Sequence, residues 1–221
     1  MNNLFSIFDP STGIFFSLNW FSLFLLPMFI PNKFYFNNSR YLYLYNNMNK
    51  FIMSTIKTNI NKNQLKNMMI FTILFNTILL ANLTSLFPYF FNSTSHINIT
   101  LGLALPLWLS MTLKNWLNSP SKPLSHLLPL STPIILSPFM ISIEIISLLI
   151  RPFTLAIRLM ANMIAGHMLM SLLSSTLYNP ISIYILSSIT LNTLYCLEIA
   201  VAMIQSYVFI TLMSLYLSEN S

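Results

Sequence analysis

Three ionisable side chains, Glu144, Arg151 and Arg158, recur at intervals of seven in a stretch otherwise dominated by Ile, Leu, Phe and Met. Seven residues is nearly two helical turns, so on a helix the three fall along one stripe that drifts by about 20° per heptad. Asn162 continues that stripe one turn beyond Arg158, and His167 follows on the same stretch. A second apolar stretch carries Glu198 and Gln205, again seven apart, so the two polar stripes can face each other or a common partner. A charge at the centre of a bilayer costs about 3 kcal/mol or more, and its default reading there is a path for ions or protons. The residue types divide the work. Histidine exchanges protons near neutral pH, and a carboxylic acid does so once removed from water, which makes His167 and Glu198 relay groups. Arginine keeps its proton and holds a fixed positive charge, which gates a path but hardly relays along it.

Each residue also has a plainer reading. Arg158 fits a structural ion pair with Glu144 or Glu198. Arg151, beside Pro152, fits a charge that snorkels or supports packing. His167 fits a packed polar residue, and Asn162 and Gln205 fit interhelical hydrogen bonding. His96 and His126 fall in loops, where solvent exposure is expected. The Asn-x-Ser/Thr matches at Asn92 and Asn98 are of a kind that recurs by chance.

The elements that must carry these groups are membrane helices. Of 221 residues, 55% are hydrophobic and 6% charged, against about a quarter charged in soluble domains. The net charge of +6 comes largely from lysines between Lys33 and Lys66 that flank apolar runs. That placement suits orientation in a bilayer and not nucleic-acid binding. Cys196 is the only cysteine, so neither a disulfide nor a cysteine–metal site is expected, and no metal or other cofactor is. No removable signal or transit peptide is expected at the N-terminus, where no positive segment precedes the first apolar run.

The expected fold class is an all-α integral membrane protein of about five crossing helices plus an interfacial helix, read as a single membrane domain. Residues 13–30, closed by Pro31, form an expected first crossing of roughly 27 Å. Residues 32–66 mix aromatics with Lys and Arg, as in a segment lying on a membrane surface. Residues 67–87 and 98–117 form an expected transmembrane hairpin, with Trp108 and Trp116 in the second arm. The four prolines from Pro120 to Pro133 rule out a helix in the next loop. Two long segments follow, 134–174 and 181–217. The second, at roughly 55 Å, must tilt strongly or protrude, while Pro152 and Gly166 leave the first room to bend. With five crossings the basic loops share one side, which the positive-inside rule makes cytoplasmic or matrix. The N-terminus is then outside and the C-terminus inside.

The string Glu144-Ile-Ile-Ser-Leu-Leu-Ile-Arg-Pro-Phe-Thr-Leu-Ala-Ile-Arg-Leu-Met-Ala-Asn-Met-Ile-Ala-Gly-His167 closely resembles the signature of subunit a of F-type ATP synthases. So does Glu198-Ile-Ala-Val-Ala-Met-Ile-Gln-Ser-Tyr-Val-Phe209. The opening Leu4-Phe-Ser-Ile-Phe-Asp-Pro-Ser-Thr12 resembles the start of the mitochondrially encoded animal form, so the similarity covers essentially the whole chain.

The resemblance implies two long tilted helices wrapped against a rotating ring of c subunits, in company with other membrane and peripheral-stalk subunits of the mitochondrial inner membrane. Arg158 matches the family's essential arginine, which faces the ring's carboxylates and blocks leakage between two half-channels. Glu144, about 21 Å along the helix from Arg158, is the implied matrix-side group. His167, about 13 Å beyond Arg158 on the other side, would join Glu198 in proton uptake from the intermembrane space. Asn162 and Gln205 match polar positions near the arginine; Arg151 is a possible member of the path. The three glycines form no phosphate-cradling loop, so nucleotide chemistry falls to other subunits. Other readings are a secondary transporter, a proton-pumping subunit of a respiratory complex, or a purely structural assembly subunit. No internal repeat favours the transporter. A haem carrier would need paired axial ligands, which His96, His126 and His167 do not offer.

Overall fold

Without water in the bilayer core, a spanning backbone must satisfy its own N–H and C=O groups, which helices do within one segment. The computed structural model describes residues 4–11, 17–31, 39–59, 68–87, 90–118, 136–176 and 181–219, and among them every regular element is helical. A 3-10 turn at Leu4–Phe8 comes first. Two more, Leu18–Phe21 and Leu26–Phe29, flank the single turn α1 (Ser22–Leu25). Then come α2 (Arg40–Asn59), α3 (Met68–Ser85), a 3-10 turn at Ser93–Ser95, α4 (Ile97–Asn118), α5 (Ser137–Thr176) and α6 (Ile181–Glu219). Among the described residues, α3, α4, α5 and α6 are long and apolar enough to cross a membrane. The chain is an all-α, multi-pass membrane protein. With 40 and 39 residues, α5 and α6 each extend roughly 60 Å, about twice a bilayer core.

The segment 13–30 differs from the single long helix expected of it. Its described part is a short helical run from Leu18 to Phe29, tightened to 3-10 geometry at both ends. Pro27 lies within the last turn and has no N–H to give an α-helical ladder. Within 32–66 the described residues form α2, whose N-terminus is capped by Ser39: its hydroxyl accepts from the Leu42 N–H at 3.2 Å. The loop holding Pro120, Lys122, His126 and Pro133 lies outside the described residues, as do Lys33, Lys62 and Lys66.

Helix α6 packs against α5, α3 and α2, while α5 packs against α6 and α4. The arms of the expected hairpin, α3 and α4, therefore flank the α5–α6 pair from different sides and are not each other's main neighbours. Ile52 and Ile56 of α2, Phe71 and Phe75 of α3, Leu155 and Leu159 of α5, and Phe209 and Met213 of α6 form one apolar core. Asn76 of α3 donates to the Tyr45 hydroxyl at 2.9 Å and to Asn49 Oδ1 at 3.2 Å, tying α2 to α3. Serine and threonine hydroxyls of the long helices, such as those of Ser147, Thr154, Ser206 and Ser214, donate to carbonyls three residues back. That local bond lets polar side chains sit in a bilayer without outside partners. α5 runs unbroken through both Pro152 and Gly166, so the bend that those residues allow is not a break in the helix.

Candidate functional site

Helical periodicity sorts the faces of α5. Pro152, Leu155, Ala156, Leu159, Met163 and Gly166 are buried, at spacings of three and four that define one face against the rest of the chain. Arg158 points the other way and is exposed, with Thr154, Ala161, Asn162 and Ala165 exposed around it. Among the described residues no carboxylate pairs with it. A cation kept off the chain's own packing surface, on a helix of this apolarity, is displayed to something outside the chain.

The polar stripes of α5 and α6 do meet one turn beyond Arg158. Asn162 Nδ2 donates to Gln205 Oε1 at 3.1 Å, and Gln205 is buried. One heptad before Gln205, Glu198 is 9% exposed, a buried carboxylic acid in an apolar helix. Its carboxyl group lies over Gly166, where an added β-carbon would overlap it. Gly166 is thus a site of close helix approach, making room for Glu198 next to His167 in sequence. The ring of His167 packs edge-on against Phe8 of the N-terminal turn, with centroids 6.5 Å apart, and its Nε2 is buried without a partner among the described residues.

A buried polar cluster that the sequence reading did not single out lies where α3 ends and α4 begins. The Thr94 hydroxyl joins Asn82 Oδ1 at 3.1 Å and Asn92 Oδ1 at 3.0 Å, and all three residues are buried. The turn carrying Thr94 packs on α5 as well as on α3 and α4. Asn82 Nδ2, Asn92 Nδ2 and His96 Nε2 are each buried without a partner among the described residues. The expectation of solvent exposure for His96 is therefore corrected. Its ring packs 5.1 Å from Trp20 and 5.2 Å from Phe91, because the short helical run before Pro31 folds over the loop. The signal was available as Asn82 in the middle of an apolar run and five consecutive polar residues from Asn92 to His96.

Glu144 and Arg151 lie elsewhere. Glu144 is half-buried about 21 Å along α5 from Arg158. Arg151 is turned toward α6, its guanidinium carbon 5.3 Å from the centre of the Tyr216 ring. Among the described residues no group of His, Cys, Asp and Glu is arranged to hold a metal, and Cys196 is free and exposed.

The profile of the family described as ATP synthase A chain matches residues 13–218. The chain belongs to the ATP synthase A chain family. Similar full-length members come from insects. The ATP synthase subunit a of Drosophila melanogaster is 49% identical over 223 residues, covering 99% of both chains. Those of Aedes albopictus and Anopheles gambiae are 48% and 47% identical over 225 residues, again with 99% coverage. In this ATP synthase A chain, Asn162, Gly166, Glu198 and Gln205 thus lie along one α5–α6 contact, with Arg158 exposed on the outer face of α5 and Glu144 and Arg151 further along that helix.

Proposed function

We propose that the chain is the proton-translocating subunit of an ATP synthase in the mitochondrial inner membrane, built into the complex beside a rotating ring of c subunits and the stalk that holds it still. The exposure of Arg158 carries this reading. Its fixed charge meets each ring carboxylate and favours the ionised form by charge attraction, the effect of an opposite charge within a few ångström. It also repels a proton that would pass straight across, so uptake and release stay separated. Thr154, Ala161 and Ala165 beside it are small, letting a neighbouring helix approach closely.

Protons reach the ring on one side past His167, Glu198, Asn162 and Gln205, with the polar cluster of Asn82, Asn92 and Thr94 as outer lining. They leave on the other through Glu144. The N-terminus faces the intermembrane space and the C-terminus the matrix, consistent with the lysine-bearing segments lying on the matrix side. Each charge moved downhill releases about 2.3 kcal/mol per 100 mV, and that work turns the ring.

The test is cross-linking in assembled membranes from single cysteines placed along α5 in a cysteine-free background. Positions 154, 158, 161 and 165 should link to a cysteine scanned along the ring's outer helix, and buried positions 155 and 159 should not. Failure at every exposed position would remove the ring from this face.

A further inference from the structure

We infer that the N-terminal segment positions two histidines of the intake side: Phe8 seats His167, Trp20 seats His96, and one hydrogen bond joins the two seats. This rests on the reading of His167 as an intake group given above. The histidines lie on different elements, His167 on α5 and His96 just before the first residue of α4. In each, the ring is half-buried and Nε2 is buried without a partner among the described residues. An aromatic ring from the N-terminal segment covers each of them. Phe8 stands edge-on to His167 with centroids 6.5 Å apart, and Trp20 lies 5.1 Å from His96. Phe91, 5.2 Å from His96 and 5.3 Å from Trp20, completes a three-ring cluster.

The two covers are linked. Asn19 Nδ2 donates to the Asp9 carbonyl at 3.3 Å, so the residue after Phe8 is bonded to the residue before Trp20. The turn Leu4–Phe8 packs on α5 and the run Leu26–Phe29 on α3, which anchors the segment at both ends. An aromatic quadrupole favours edge-on and offset arrangements, so each contact restricts how its imidazole can turn. Orientation matters because the two ring nitrogens of a histidine are distinct, and a relay must present the right one to the next group. His167 follows Gly166, over which the Glu198 carboxyl lies. His96 follows the Asn92–Thr94 part of the buried polar cluster. Phe8 and Trp20 are thus positioning residues that act through the two imidazoles on protons entering past them.

The test is histidine carbethoxylation by diethyl pyrocarbonate in assembled complexes in membrane vesicles. Mass spectrometry reads His96 and His167 separately, and proton-driven ATP synthesis is measured on the same vesicles. Losing an aromatic pair shifts the population of a ring orientation by about two- to tenfold. Phe8→Leu should therefore raise labelling of His167 by that factor and leave His96 unchanged, while Trp20→Leu does the reverse. Asn19→Leu removes only the link and should raise both by about twofold. Synthesis should fall in Phe8→Leu and Trp20→Leu by factors similar to their rises in labelling. Phe8→Tyr and Trp20→Phe keep an aromatic face and should stay near the parent on both readouts. If a leucine variant at position 8 or 20 fails to assemble, Asn19→Leu decides: a rise at both histidines supports the linked seats, and a rise at neither overturns them. Unchanged labelling in the assembled leucine variants, or raised labelling with synthesis at the parent rate, also overturns the inference. His167→Ala in the same vesicles separates the two levels. Normal synthesis there removes the intake reading, whereas slow synthesis there beside a parent rate in Phe8→Leu removes only the seating.

Discussion

Where α6 carries Phe209, Met213 and Leu217, the α5–α6 pair is closed by hydrocarbon from α2 and α3, with Ile52, Ile56, Phe71 and Phe75 all buried against it. Around Gly166 and Glu198 the same two helices enclose a buried acid, and the neighbouring loop buries Asn82, Asn92, Thr94 and Ser95. The first region excludes water because no polar atom there needs it. The second holds buried side-chain nitrogens without partners among the described residues, those of Asn82, Asn92, His96 and His167, and leaving a buried donor unsatisfied costs about 1–3 kcal/mol. One composition thus yields an apolar seal and a polar buried region, separated along a single helix pair, and Arg158 lies on the outer face of α5 between them.

Substitutions that blur this difference should have graded effects. Phe71→Ala opens a cavity in the seal and should cost about 3–5 kcal/mol, read as a sharp drop in subunit recovered in the complex. Gly166→Ala pushes the Glu198 carboxyl from its seat while leaving the core intact. Synthesis should fall roughly tenfold to a hundredfold with assembly unchanged, and a normal rate would mean that the position of Glu198 is not critical. Thr94→Val removes the hydroxyl shared by Asn82 and Asn92, at about 1–2 kcal/mol. It should slow proton uptake through the complex several-fold more than Thr112→Val, whose hydroxyl bonds only its own helix. Smallest is the Asn162–Gln205 bond, worth about 0.6 kcal/mol. A double-mutant cycle with Asn162→Leu and Gln205→Leu should show coupling of that size, and zero coupling would make the bond incidental.

Much of this was legible beforehand because membrane helices write themselves in long apolar runs and because charges within them stand out. The ranges 134–174 and 181–217 are close to α5 and α6, and the stripes of Asn162 and Gln205 do meet. Contacts between distant segments were not legible. Periodicity places Arg151 and Arg158 on one stripe, yet Arg151 is half-buried with its guanidinium over the Tyr216 ring of α6, whereas Arg158 is exposed. Gly166 reads as a flexible point in a sequence, whereas its value is the space it leaves for a side chain of another helix. His96 looked solvated because a loop is the usual place for water, yet Trp20, some seventy-five residues earlier, covers it. The run 13–30 had the length of a crossing, and in its described part the α-helical turn Ser22–Leu25 gives way to 3-10 geometry at Leu26–Phe29, around Pro27.

The central claim is that Arg158 is the stationary charge facing the ring while Arg151 belongs to packing. It is tested most directly by proton-driven ATP synthesis in vesicles carrying Arg158→Ala beside Arg151→Ala, each normalised to assembled complex. Synthesis should be abolished in the first and largely kept in the second. Normal synthesis without the Arg158 guanidinium would contradict the account, since the face on which it stands would then carry no gate.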